Sequence, residues 1–174
     1  MINNWYMLTL IGKDRPGIVA KISSALYMAG CNLGETSMIR LGGNFTTMIM
    51  VQYEGTRESL IQKLEPEAKA MSLFIHLDKI EGHLHDHRIP DACITVYGAD
   101  KAGIVAKVTT KLAEAGLDIL DLKSDVGGSK DKPMYIMQIE GYAGKGFDEL
   151  DRAVNDLTND EVEVHLEPID TIIG

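Results

Sequence analysis

Cysteine is nearly missing from this chain: Cys31 and Cys93 are the only two among 174 residues. Two thiols cannot build the disulfide framework of a small secreted domain, so both are expected reduced and mostly buried, packing as small apolar groups. Basic residues are also scarce, with 17 Lys and Arg against 26 Asp and Glu and a formal net charge of −9. Such a balance repels a phosphate backbone and an anionic membrane surface. The densest basic points are pairs such as Lys130 and Lys132, so direct nucleic-acid binding is not expected. Aromatics make up 6% of the chain, too few for the stacking sheet of an RNA-recognition fold. A Cys-x-x-Cys loop is absent, which removes a copper-chaperone reading. No apolar run approaches the ~18 residues of a membrane helix. The start, Met1-Ile2-Asn3-Asn4-Trp5, carries no basic leader region, and a cytoplasmic location is expected.

What the chain does have is self-similarity. Gly12-Lys13-Asp14-Arg15-Pro16-Gly17-Ile18-Val19-Ala20-Lys21 recurs 86 positions later as Gly98-Ala99-Asp100-Lys101-Ala102-Gly103-Ile104-Val105-Ala106-Lys107. At the same shift Leu26, Ala29 and Gly30 match Leu112, Ala115 and Gly116. Further on, Met48, Gln52, Glu54 and Gly55 match Met134, Gln138, Glu140 and Gly141. A repeat without gaps predicts two copies of one domain, at 1–82 and 92–174, joined by a linker at 83–91. A unit of about 85 residues is near the lower end for folding alone, so neighbouring copies gain from a shared interface.

Each copy reads strand, helix, hairpin, helix, strand. Trp5 to Ile11 is a short run of strand formers ended by Gly12. Ile18, Ile22, Ala25, Leu26 and Ala29 share one helical face, and Gly30 stops the helix. Leu33 to Leu41 and Phe45 to Tyr53 flank a Gly42-Gly43-Asn44 turn, a hairpin. Leu60, Ile61, Leu64, Ala68 and Met71 make a second stripe, and Leu73 to Ile80 closes the sheet. The second copy offers strands near 92–97, 119–126, 134–140 and 162–168. Its last helix carries Phe147, Leu150, Val154 and Leu157. The fold class is α+β: two ferredoxin-like βαββαβ domains, each an antiparallel sheet with helices on one face. Met38, Met48, Met50, Met134 and Met137 fall on the hairpins and are expected as core filling.

Gly12 to Val19, read as Gly-x-Asp-Arg-Pro-Gly-Ile-Val, followed after the helix by Ala29-Gly30-Cys31-Asn32-Leu33, resembles the ACT-domain signature. Two such domains spanning nearly the whole chain resemble the glycine cleavage system transcriptional repressor family. The resemblance implies a regulator without enzymatic activity or a cofactor. It would bind a small amino acid, glycine or serine first, and act through a protein partner such as a transcriptional activator. It also implies paired ACT domains, within one chain or in a homo-oligomer, with the ligand held where two domains meet. Positions 14 and 32 match those where the family places ligand-contacting side chains.

The residues themselves supply the chemistry. The loop Gly12, Asp14, Arg15, Pro16, Gly17, Ile18 leads into a helix N-terminus, where unpaired N–H groups and the helix dipole favour a carboxylate. Gly17 lets the ligand come close, and Pro16 is expected to pre-set φ in the first turn. Asp14 can face an ammonium group, and Asn32 offers both a donor and an acceptor. On this reading Gly17→Val blocks the ligand with little loss of fold. The plainer alternative is that Asp14 only caps the helix through the Gly17 N–H. A possible second site comprises Asp100, Gly103, Ile104 and Asp118, but Ala102 replaces the proline and Asp118 stands where Asn32 stands. Two carboxylates there would weaken carboxylate recognition.

Two further features invite chemistry. His83, His85 and His87 with Asp86 have ligand types for Zn²⁺ or Ni²⁺, but they fall in the linker, where a solvated segment is expected and no metal site is assigned. An enzyme needs a nucleophile with its base. Cys31 has no histidine near it in sequence, and Ser23 and Ser24 lie inside the first helix.

Overall fold

The computed structural model describes residues 4–81, 88–99, 103–129, 132–159 and 162–169. The His83 to His87 segment and Asp100 lie outside the described residues. The chain divides into two compact units, Met1–His85 and Asp86–Gly174.

In the first unit β1 (Asn4–Lys13) leads to α1 (Ile18–Met28), then β2 (Asn32–Leu41), β3 (Asn44–Tyr53), α2 (Arg57–Ala70) and β4 (Phe74–Ile80). The sheet order is β2-β3-β1-β4 with every neighbouring pair antiparallel. Strict alternation puts Tyr6, Leu8 and Leu10 of β1 in the core beside Phe45, Ile49 and Val51 of β3. Ile18, Ile22, Ala25 and Leu26 of α1 close that face, with Leu60, Leu64 and Ala68 of α2. The α2 start is capped by Thr56, whose hydroxyl accepts from the Ser59 N–H at 3.2 Å.

The second unit repeats the plan: β5 (Ala92–Ala99), α3 (Ile104–Glu114), β6 (Leu117–Ser129), β7 (Lys132–Ala143), α4 (Phe147–Leu157) and β8 (Val162–Pro168). Its antiparallel sheet runs β6-β7-β5-β8. Both units are ferredoxin-like α+β domains. Among the described residues no helix is long and apolar enough to cross a membrane, and no cluster of His, Cys, Asp and Glu could hold a metal.

The gapless repeat does not survive in the hairpin. Thr9 faces Met48, whereas its counterpart Thr95 faces Gln138, four residues beyond Met134. The β6–β7 hairpin is longer than β2–β3, so the structural partner of Val51 is Gly141 and that of Gln52 is Tyr142. Gly55 therefore does not correspond to Gly141. The two glycines answer different neighbours: a Cβ on Gly55 would strike the Tyr53 ring, and one on Gly141 the Asp118 carbonyl.

Core filling holds for Met137 alone among the five hairpin methionines; Met50 is buried, but on the same sheet face as Met48, beside Gly34. Met38, Met48 and Met134 are close to half exposed, because Met48 and Met134 point to the open sheet face and Met38 lies on the edge strand β2. Every residue of β2 is exposed, including Leu33, Ile39 and Leu41. Cys31 and Cys93 are free and only partly buried.

Candidate functional site

The loop after β1 sits at the hairpin end of the first sheet. Lys13 pairs with Asn44 and Arg40 pairs with Phe45, so the end of β1 is brought beside the Gly42-Gly43 turn. The Asp14 N–H donates to the Gly43 carbonyl at 3.0 Å and ties the loop down. The Arg40 Nε donates to Asp14 Oδ2 at 2.7 Å, and its Nη2 closes on the same oxygen. The Asp14 side chain is 21% exposed and that of Arg40 67%. A pair this open to water adds only about 0.2–1 kcal/mol to stability, so its chemistry is available at small structural cost.

Gly17 then turns the chain with φ 87° and ψ 0°, a left-handed conformation natural to glycine. It is the N-cap of α1, no side chain caps the helix, and no acidic residue stands in the first turn. The positive end of the helix dipole is left without a carboxylate of its own.

Three expectations change here. Asp14 does not cap the helix: its carboxylate goes to Arg40. Pro16 is not in the first helical turn. The helix begins at Ile18, and Arg15 and Pro16 are exposed in the approach to it. Gly17→Val would not be silent for the fold. A Cβ there meets nothing within 4 Å, yet φ is positive, and a β-branched residue in that conformation costs roughly 1–2 kcal/mol.

Gly12 lies within β1 opposite Phe45, packed so closely that a Cβ would stand 2.8 Å from Leu73 Cδ2. Asn32 is at the other end of the sheet. It opens β2, pairs with Gln52, and its Nδ2 donates to Gln52 Oε1 at 3.3 Å. Arg40 lies eight positions further along the strand, roughly 25 Å away, so one domain does not bring Asp14 and Asn32 together. Arg40 takes the place beside Asp14 that sequence reasoning gave to Asn32. A signal for it existed: between Lys21 and Arg57, Arg40 is the sole basic residue.

In the second unit Gly103 repeats the left-handed cap with φ 89°, and Ile104 opens α3. Asp118 is the second residue of the edge strand β6, at the ladder position Asn32 has in β2, and is paired with Arg88 at 3.0 Å. That guanidinium also stands 5.4 Å from the Tyr142 ring centroid. The register that sets Arg40 against Phe45 sets Val126 against Tyr135. The second copy thus lacks the guanidinium at the hairpin end.

Cys31 does not have the environment of a nucleophile. Burial pushes its thiol above the ordinary range, and nearby Lys63 only partly opposes the shift. A reactive cysteine needs the opposite displacement.

The ACT-domain family model matches residues 6–78. The glycine cleavage system transcriptional repressor of Escherichia coli (strain K12) is 23% identical over 122 residues, 70% of this chain and 64% of that protein. The match therefore spans less than two thirds of the repressor's length. UPF0237 protein YjhC of Lactococcus lactis subsp. lactis (strain IL1403) is 31% identical over 72 residues, 41% of this chain and 83% of that protein. A crystal structure described as a putative glycine cleavage system transcriptional repressor superposes with a TM-score of 0.70 at 21% identity, covering 98% of this chain and 100% of that one. The last likeness shows the two-domain fold, and the family match takes in the Asp14–Gly17 loop: the first domain, over residues 6–78, is an ACT domain.

Proposed function

We propose that the chain is an amino-acid-sensing regulatory protein whose first domain holds the ligand at the Asp14–Gly17 loop. The Asp14–Arg40 pair beside an uncapped helix start carries this reading. Asp14 can accept from an ammonium group, while the Arg40 guanidinium and the first N–H groups of α1 can take a carboxylate. A zwitterion asks for both within a few ångströms.

Kinship with proteins named as transcriptional repressors supports a regulatory role. The net charge of −9 supports one exerted through a protein partner such as a transcriptional activator rather than on nucleic acid directly. Ligand would favour one conformation, and the partner would read the change. Glycine or serine is the ligand the family resemblance suggests, with glycine metabolism as the process controlled. The second domain, with Val126 in the place of Arg40, serves assembly or partner contact on this view.

A thermal-shift screen of the twenty amino acids against the whole chain tests the reading. Ligand at about 100 times its Kd adds about 2.7 kcal/mol to the stability of the folded state, so at least one amino acid should raise Tm visibly. No shift by any of them at millimolar concentration would count against sensing and favour a purely protein-binding role.

A further inference from the structure

An apolar cleft of about 120 Å³ opens between α1 and the β2–β3 hairpin. Ile22, Phe45 and Thr47 form its buried floor, with exposures of 2%, 2% and 5%. Val19, Leu33 and Met38 form a rim that is about half exposed. Two of its lining residues adjoin the charged end: Ile18 is the first residue of α1, directly after Gly17, and Phe45 is the cross-strand partner of Arg40. We infer that this cleft receives the side chain of the bound amino acid, and that the ligand is accordingly a branched aliphatic amino acid rather than glycine or serine. The inference rests on the ligand site proposed above and names its substrate class.

Size and polarity make the selection. An apolar cavity of about 150 Å³ takes benzene, roughly 25 Å³ per carbon, so a cleft of this volume takes about five carbons. Leucine and isoleucine fill it, valine fills it in part, and phenylalanine exceeds it. Glycine would leave apolar walls facing water, and a serine hydroxyl would find only the hydroxyls of Ser23, Thr36 and Thr47, the last already donating to the Ser37 carbonyl at 2.8 Å, in a lining that is otherwise apolar.

The second domain provides an internal control. Thr47 pairs with Met38, and at the same ladder position Met137 pairs with Ser124. Met137 is fully buried, with an exposure of 0%. A long side chain thus occupies the core where the first domain has a threonine, and Val126 stands where Arg40 does. The first domain keeps both the space and the charge.

Calorimetric titration of the whole chain with alanine, 2-aminobutyrate, valine, leucine and isoleucine, beside glycine and serine, tests the assignment. Affinity should tighten about fourfold per added methylene up to leucine, as expected for transfer of apolar surface. Thr47→Met, which installs the residue the second domain already buries, should raise Kd for leucine about tenfold or more by overpacking. Val19→Phe, at the exposed rim, should do the same and serves if Thr47→Met folds poorly. Tightest binding of glycine or serine would overturn the aliphatic class while leaving amino-acid sensing intact. Unchanged leucine affinity in both variants would overturn the cleft as its seat, and no binding of any amino acid would sink both readings.

Discussion

Replacing Gly141 with valine should destabilise the second domain by about 3 kcal/mol or more, the upper range for overpacking at a site that cannot relax. At the corresponding ladder position the first domain carries Val51, fully buried, so composition alone suggests that valine belongs there. The local geometry says otherwise. A Cβ on Gly141 would stand 2.5 Å from the Asp118 carbonyl and 2.9 Å from Leu117 Cδ1. The carbonyl is backbone, held at the start of β6 next to the irregularity between Ile119 and Asp121, so no side-chain rotation relieves the contact. In a domain of this size 3 kcal/mol corresponds to a fall in Tm of about 12–24 °C. Thermal unfolding followed by far-ultraviolet circular dichroism checks it, and a fall of less than a few degrees would mean that the β6–β7 register is different.

Leu8→Ala should cost the first domain about 3–4 kcal/mol. Leu8 is fully buried in β1, the strand hydrogen-bonded on both sides, facing Ile49 on one neighbour and Leu77 on the other. Truncation loses the transfer free energy of three carbons and leaves a cavity that strands fixed from both sides cannot collapse. Trp5 is the single tryptophan and lies three residues away on the same strand, so its fluorescence reports this domain's unfolding. Urea unfolding should show a lower midpoint with the slope unchanged. A loss below about 1 kcal/mol would contradict the placement of Leu8 at the centre of the core.

Most of the fold was legible because its signals are local. Alternation at Tyr6, Leu8 and Leu10, and the helical stripe from Ile18 to Leu26, each depend on neighbours a few residues away. The hairpin of the second domain was not legible. Identities such as Met48 with Met134 hide four extra residues, and only pairing with β5 reveals the true register. Gly34 shows the same limit. A Cβ on it would meet the Trp5 ring at 3.0 Å, a contact set by strand order rather than by adjacent sequence.

The candidate site was half legible for a related reason. Asp14 and Gly17 announce a loop and a helix start, and both stand where expected. Asn32 follows closely in sequence, but α1 has 11 residues, about 16 Å of rise, and carries the chain back to the opposite end of the sheet. Arg40 arrives only because the hairpin folds it back against the loop.

The central claim is that Asp14 and Arg40 hold an amino acid, and titration of Asp14→Asn and Arg40→Gln against the amino acid giving the largest thermal shift tests it most directly. Each substitution should weaken binding by about 1.5–3 kcal/mol, the worth of a hydrogen bond to a charged group, while moving stability by less than about 1 kcal/mol. Both variants binding with wild-type affinity would contradict the account.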